Sequence, residues 1–280
     1  AGILLLPSRF TSQPQYLAPV VMDGRETQNL EASYLFSAGG LVDSMGNYSG
    51  SQSLATKRSV VNGGIALDTS GSRSSAPAST RNYTATGSGK PVTVELMAYT
   101  LNADTTLDTA LNLGGAGSGN TTKFTIHFNV FSGGGDVYVA TVAQDFYTAT
   151  GVLNLNAWNH IVVSYSGGIV STTTLSIWVN GVLRATTKTG IQNNALNLFS
   201  APVQVGYDSG GTRALRGYLA YARIWSRAMT EMEALQRRAN LWSIYKAPSQ
   251  IFPISDAAAA SSFKPYWSSQ RPRVYGAGVR

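Results

Sequence analysis

Apolar and polar residues alternate along most of this chain with a period of two, the spacing of strands that bury one face. The pattern is densest between Trp158 and Glu233. Trp158 to Tyr165 runs through β-branched and aromatic residues without Gly or Pro and predicts a buried strand. In Thr174 to Val179, Leu175, Ile177 and Val179 share one face while Ser176 and Trp178 share the other. Asn180-Gly181 then predicts a two-residue hairpin turn, because both central positions need positive φ, and Val182 to Thr186 returns as the partner strand. Two more strands are expected over Val203 to Tyr207 and Gly217 to Trp225. At Thr230 the period changes. Thr230 and Glu233 form the S/T-x-x-E capping box of a short helix ending near Asn240, with Met232, Leu235 and Met229 as its apolar stripe.

Upstream the same reading holds. Pro91 to Tyr99 and Lys123 to Phe131 alternate cleanly, and Asp136 to Val142 resumes after the Gly133-Gly134-Gly135 break. Glu31 to Val42 predicts an earlier strand, and residues 43 to 90 suggest short strands joined by polar loops around Ile65-Ala66-Leu67. No crossover helices lie between these strands, which favours a two-sheet antiparallel sandwich over a parallel α/β fold. The expected organisation is an extended arm over 1–30, rich in proline, a sandwich over 31–238 and a second arm over 239–280.

Composition agrees with strands and turns: only 12% of the 280 residues are charged, and 29 are glycine. There is no cysteine, which removes disulfides, thiol catalysis and cysteine zinc sites. Ile3 to Leu6 is the only apolar run near the start, far short of the roughly 20 residues of a membrane span, so a protein made in the cytoplasm and free of membrane is expected. The charge is lopsided. Of a net +7, residues 237–280 carry +6, with Arg271 and Arg273 in the tail beside Trp267 and Tyr275. Such a tail meets acidic surfaces, or is a solvated extension; it lacks the dense Arg/Lys run that nucleic-acid binding favours.

The ordered set Trp158, His160, Trp178, Asn180, Gly181, Gly217, Leu219, Arg223, Ile224, Arg227, Ala228, Thr230 and Glu233 resembles the laminin G-like, concanavalin A-like jelly-roll family. The resemblance implies an all-β jelly roll with one short C-terminal helix, whose first strand pairs with one near the domain's end. Where relatives often carry acidic residues after the position of Leu219, this chain has Ala220 and Tyr221. Ser8 to Gln15 resembles the opening of some bacteriophage virion proteins with this jelly roll, and Asn240 to Phe252 resembles their C-terminal extensions, with Leu241 in place of a proline. The function so implied is a non-enzymatic virion component, of capsid decoration or of tail or fibre, and its location is the virion. Its arms would attach to neighbouring virion subunits through Phe10, Trp242, Phe252, Trp267, Arg271 and Arg273, and a homo-oligomer is expected. The alternative is a receptor-binding lectin for bacterial surface glycans, with Tyr147, Tyr207 or Tyr218 stacking on a sugar.

Catalytic chemistry finds little support. A retaining glycosidase needs two carboxyl groups roughly 5 Å apart, and no predicted strand supplies an alternating pair. Glu231 and Glu233 belong to the capped helix, and no Gly-x-Ser-x-Gly elbow occurs. His160 reads as a packing or hydrogen-bonding residue, and His127 as facing solvent or the opposite sheet. No cofactor is expected. Calcium is left open, with Asp208 joined by Asp104, Asp108 or Asp136, although scattered aspartates are ordinary turn formers.

Overall fold

The computed structural model describes residues 3–6, 20, 25–36, 43–51, 57–61, 64–68, 78–83, 89–101, 108–113, 124–129, 134–141, 144–190, 195–196, 201–206, 215–245 and 250–253. The chain falls into two compact units, Phe10–Lys246 and a smaller one formed by Ala1–Arg9 with Ala247–Arg280. In the smaller unit β1 (Ile3–Leu6) pairs antiparallel with β18 (Gln250–Pro253).

The larger unit is a jelly-roll sandwich of two antiparallel sheets. Its early strands are β2 (Leu30–Leu35), β3 (Gly50–Ser51), β4 (Lys57–Val61), β5 (Gly64–Asp68), β6 (Ala78–Tyr83) and β7 (Val92–Thr100). Then come β8 (Asp108–Leu113), β9 (Phe124–Phe128), β10 (Val137–Thr141), β11 (Asp145–Tyr147) and β12 (Ala157–Tyr165). The last are β13 (Leu175–Val179), β14 (Val182–Arg184), β15 (Thr187–Thr189), β16 (Ala201–Val205) and β17 (Gly217–Trp225), followed by α1 (Glu231–Ala239). The first sheet runs β14-β13-β12-β7-β17-β5-β4, with β2 also on β17; the second runs β15-β11-β10-β9-β8-β16-β6-β3. The pairing of β2 with β17 is the first-to-last pairing that the resemblance implied.

Between the sheets lies an apolar core. Val94, Leu96, Ile161, Val163 and Ile224 from the first sheet meet Leu111, Phe124, Ile126, Val139 and Phe146 from the second, all fully buried. The hairpin forms as its sequence dictates: Asn180 and Gly181 have φ of 54° and 81° at the turn between β13 and β14. Gly217 is required for a different reason. Its backbone passes so close to β7 that a Cβ would collide with the Tyr99 carbonyl.

A second core covers the other face of the first sheet. Val162, Trp178, Ala220, Tyr221 and Trp225 pack there against Leu30, Leu35, Ala234, Ile244 and Tyr245. A register shift between Leu219 and Tyr221 lets β17 serve both cores, so that Leu219 enters the first and Tyr221 the second. The helix has its capping box, with Thr230 Oγ1 accepting from the Glu233 N–H and Glu233 accepting from the Thr230 N–H. Its expected apolar stripe is a correction. Met232 is 65% and Leu235 41% exposed, and the helix instead buries Ala234 and Arg237. Small Ala234 permits close approach to the sheet, while the Arg237 guanidinium bonds the Glu26 carbonyl and lies 5.3 Å from the Trp225 ring. Met229, just before the helix, is buried.

Candidate ligand-binding face

Family-signature residues serve both cores, Leu219 and Ile224 in the first and Trp178, with Trp158 packed against it, in the second. Glu95, in the middle of β7, faces His160 on β12 and Tyr221 and Arg223 on β17, and all four side chains are buried. Glu95 Oε1 lies 2.9 Å from His160 Nε2 and accepts from the Tyr221 hydroxyl at 2.9 Å; both its oxygens lie 3.2 Å from Arg223 Nη1. A carboxylate only accepts, so His160 carries its proton on Nε2. Burial alone would raise the Glu95 carboxyl, but Arg223 and then His160 outweigh it and hold it well below the usual carboxylate range. Burial and the Glu95 charge push the Tyr221 hydroxyl well up. Arg223 lies 3.9 Å over the Tyr221 ring and donates at 2.5 Å to the Leu241 carbonyl, which ties down the segment after the helix.

Other signature residues act the same way. Asn180 Oδ1 accepts from the His160 N–H at 2.9 Å, and Arg227 pairs with Glu233 at 2.9 Å. Trp158 packs edge-on against Tyr99 at 5.6 Å, and Tyr99 against Tyr218 at 5.7 Å. Sealed and fully paired, Glu95 has no access to a substrate. The role expected for His160 is the one it has, whereas nothing in the local sequence marks Glu95 as its partner.

The outer face of the second sheet is different in kind. On β9, Phe124, Ile126 and Phe128 enter the core, so alternation turns Thr125 and His127 outward. Register then assembles a row across five strands: Thr187 on β15, Tyr147 on β11, Tyr138 on β10, His127 on β9 and Thr109 on β8. Beside it runs a second row of Thr189, Asp145, Ala140, Thr125, Asn112 and Gln204. The Tyr138 and Tyr147 rings are nearly parallel, 12° apart in plane with centroids 6.4 Å apart, and both are half-buried. His127 lies 5.9 Å from the Tyr138 ring, and its Nδ1 is 3.0 Å from Thr109 Oγ1. It is only 1% exposed and points away from the other sheet, so it faces neither solvent nor the opposite sheet, the two places expected for it. In the second row Thr125 donates to Asn112 Oδ1 at 2.8 Å, and Asn112 Nδ2 donates to Gln204 at 2.8 Å.

Of the residues singled out in the sequence, Tyr147 lies on this face and Tyr218 in the Trp158–Tyr99 row of the first sheet. Tyr207, Asp208, Asp104, Phe10, Trp267, Arg271 and Arg273 lie outside the described residues. Phe252 contributes its backbone to β18. Trp242, expected at a subunit contact, is half-buried and packs edge-on against Tyr221 at 5.3 Å. Asp108 is buried, accepting from Asn129 at 3.0 Å and pairing with Arg216 at 2.9 Å; Asp136 is buried as well. Among the described residues no three acidic or histidine side chains are grouped to hold a metal ion. Nor is any helix among them long and apolar enough to cross a membrane.

A family model described as "Concanavalin A-like lectin/glucanases superfamily" matches residues 68–234. No curated protein matches the sequence. Among solved structures, domain 4 of an extracellular arabinanase from Geobacillus stearothermophilus, in complex with arabinotriose, is similar at 16% identity with a TM-score of 0.54. That match covers 74% of this chain and 97% of the other. The binding domain of Paraclostridial Mosquitocidal Protein 1 aligns at 12% identity and a TM-score of 0.56, over 76% of this chain and 52% of its own. Trypanosoma rangeli sialidase aligns at 13% identity and a TM-score of 0.53, over 79% of this chain, which spans 36% of the sialidase. At these identities the likeness is one of fold, a fold that carbohydrate-acting enzymes and binding domains share.

Proposed function

We propose, from the premise that this chain belongs to the concanavalin A-like lectin/glucanases superfamily, that it is a non-catalytic carbohydrate-binding protein. It holds a glycan on the outer face of β15-β11-β10. The observation that carries this reading is the accessible row Thr187, Tyr147 and Tyr138, which His127 and Thr109 continue as buried side chains. A sugar presents an apolar C–H face and a rim of hydroxyls. The nearly parallel tyrosines suit the face, and Asp145, Thr187 and Thr189 beside them suit the rim. With strands about 4.8 Å apart, the accessible row from Thr187 to Tyr138 spans about 10 Å, room for one or two sugar units lying across the strands. Among the described residues of the two rows Asp145 is the only carboxylate, one short of the pair that glycoside hydrolysis uses. The arabinanase domain in complex with arabinotriose and the toxin binding domain support the same reading.

The test is a glycan array followed by titration of the strongest ligand. Tyr138→Ala and Tyr147→Ala are each expected to weaken binding about tenfold, the equivalent of about 1.4 kcal/mol, without altering the melting temperature appreciably. A wild-type protein that binds no glycan, or variants that bind unchanged, would sink the proposal, and release of sugar from the ligand would make the protein an enzyme.

A second reading keeps the chain as a virion component that displays the jelly roll and attaches by its ends. The observation favouring it is the pairing of β1 with β18, in register from Ile3 opposite Pro253 to Leu6 opposite Gln250, which makes one unit of both termini. Phe10, Phe252, Trp267, Arg271 and Arg273 would then contact neighbouring capsid or tail subunits. None of the three structures compared above is a virion protein. A folded truncation lacking 247–280 that still joins particles would end this reading.

A further inference from the structure

Among the described residues five large hydrophobic side chains are exposed, and four of them, Val182, Leu183, Met232 and Leu235, lie on two elements that touch. The meeting point is the hairpin turn, where a Cβ on Gly181 would sit 3.4 Å from both Leu235 Cδ2 and Arg238 Cγ. β14, which carries Val182 and Leu183, is the edge strand of its sheet. Leu183 registers with Trp178, a member of the second core, and so stands on the face that bears the helix. Leu183 and Leu235 thus belong to one apolar patch at a sheet edge, a feature that folded proteins ordinarily cover or blunt with charge.

The exposed stripe of the helix supplies the occupant. Glu231, Leu235 and Arg238 follow one another at i, i+4 and i+7, with Met232 alongside, and all four are exposed. The acid stands at one end, the base at the other, and the apolar residues between. A second helix of the same sequence, laid antiparallel and crossing at Leu235, places its basic end against Glu231 and its acidic end against Arg238. A parallel copy would set like charges together. Only the two-fold arrangement makes the stripe complementary to itself, as an isologous interface requires.

We propose that this face is a homodimer interface, in which two copies pack their α1 helices antiparallel across a two-fold axis at Leu235. Leu183 and Met232 flank the axis, and reciprocal pairs between Glu231 of one subunit and Arg238 of the partner subunit close both ends. The assembly is independent of the glycan reading. If both hold, one particle carries two binding faces and gains avidity toward a repeating polysaccharide.

Sedimentation velocity on the full chain tests the proposal over about 1 to 100 µM, where a small interface associates. A monomer–dimer equilibrium is expected, with Leu235→Glu weakening it at least about tenfold because two carboxylates would meet at the axis. Glu231→Lys and Arg238→Glu should each weaken self-association. An equimolar mixture of these two variants should recover the dimer, since every cross-axis pair again joins opposite charges. These side chains are exposed, so a melting temperature near wild type is expected and identifies the loss as one of association. A monomer throughout the range, a dimer indifferent to Leu235→Glu, or a mixture no better than its components would each overturn the proposal. Binding of another protein to a monomeric chain at this face would assign the patch elsewhere and overturn it as well.

Discussion

Glu95 and Leu96 are neighbours on β7 and both are completely buried, yet they belong to two different solvents. Leu96 points between the sheets, where aliphatic and aromatic side chains pack on one another and nothing needs a specific partner. Glu95 points the other way, into the second core, where its carboxylate is met by an imidazole, a phenol and a guanidinium. The first face is held by volume alone, and the second by apolar packing around a set of matched charges. One sheet therefore carries a core tolerant in chemistry but strict in space, and another strict in chemistry, since any missing partner leaves a charge buried alone.

Single substitutions at these two positions separate the effects. Glu95→Gln keeps the shape and removes the charge; leaving Arg223 without its counter-ion is expected to cost about 3–5 kcal/mol. Leu96→Ala removes volume only, and is expected to cost about 2–5 kcal/mol through lost burial and the cavity left behind. Urea denaturation measures both. A loss below about 1 kcal/mol for Glu95→Gln would mean that the polar face contributes little, and would break the comparison.

Acid distinguishes them further. Because Glu95 is held below its ordinary value of 4.5, its contribution is fully present above that pH and is lost as pH falls toward the folded value. Burial pushes Asp108 up to about 7 against donors from Asn129 and Arg216, so its contribution has the opposite sense, present in acid and lost as pH rises through about 4 to 7. Comparing variants at each pH cancels Asp108. The gap between wild type and Glu95→Gln should narrow below pH 4.5, because the protonated acid resembles the amide, while the gap to Leu96→Ala should stay level. Parallel curves for all three proteins would place the stabilising charge of the second core elsewhere than Glu95.

The same contrast governs what can be read from the chain. Alternation reveals Leu96 and its neighbours, and gives β7, β12, β17 and the hairpin nearly to the residue, because apolar burial leaves a local pattern. Glu95 leaves none. It alternates with Thr93 and Met97 as a solvent-facing residue would, and its partners His160 and Arg223 lie 65 and 128 residues away, visible only once strand register is known. The helix misleads for a related reason: choosing its buried stripe by hydrophobicity selects Met232 and Leu235, while the buried positions are Ala234, chosen by size, and Arg237, chosen for the Glu26 carbonyl. On the candidate glycan face, residue type alone picks out Tyr147. Tyr138 and His127 join it through pairing between strands, and the notable property of the row is that it is assembled from five of them.

The finest test within the polar face is Tyr221→Phe. The hydroxyl donates to Glu95 Oε1, which Arg223 and His160 also reach, while the ring packs against Trp242 and under the Arg223 guanidinium. Phenylalanine keeps the ring and both aromatic contacts, so only one donor is removed from the carboxylate. A hydrogen bond to a charged group contributes about 1.5–3 kcal/mol, and with two other donors in place the loss is expected at about 1.5 kcal/mol, the low end of that range. Fewer donors stabilise the anion less, so the folded Glu95 carboxyl rises, and the acid-induced loss of stability, which still begins near 4.5, is smaller in total and ends at a higher pH than in wild type. A variant that loses stability without this shift would show that Tyr221 acts through packing alone, and that Arg223 and His160 suffice to set the charge of Glu95.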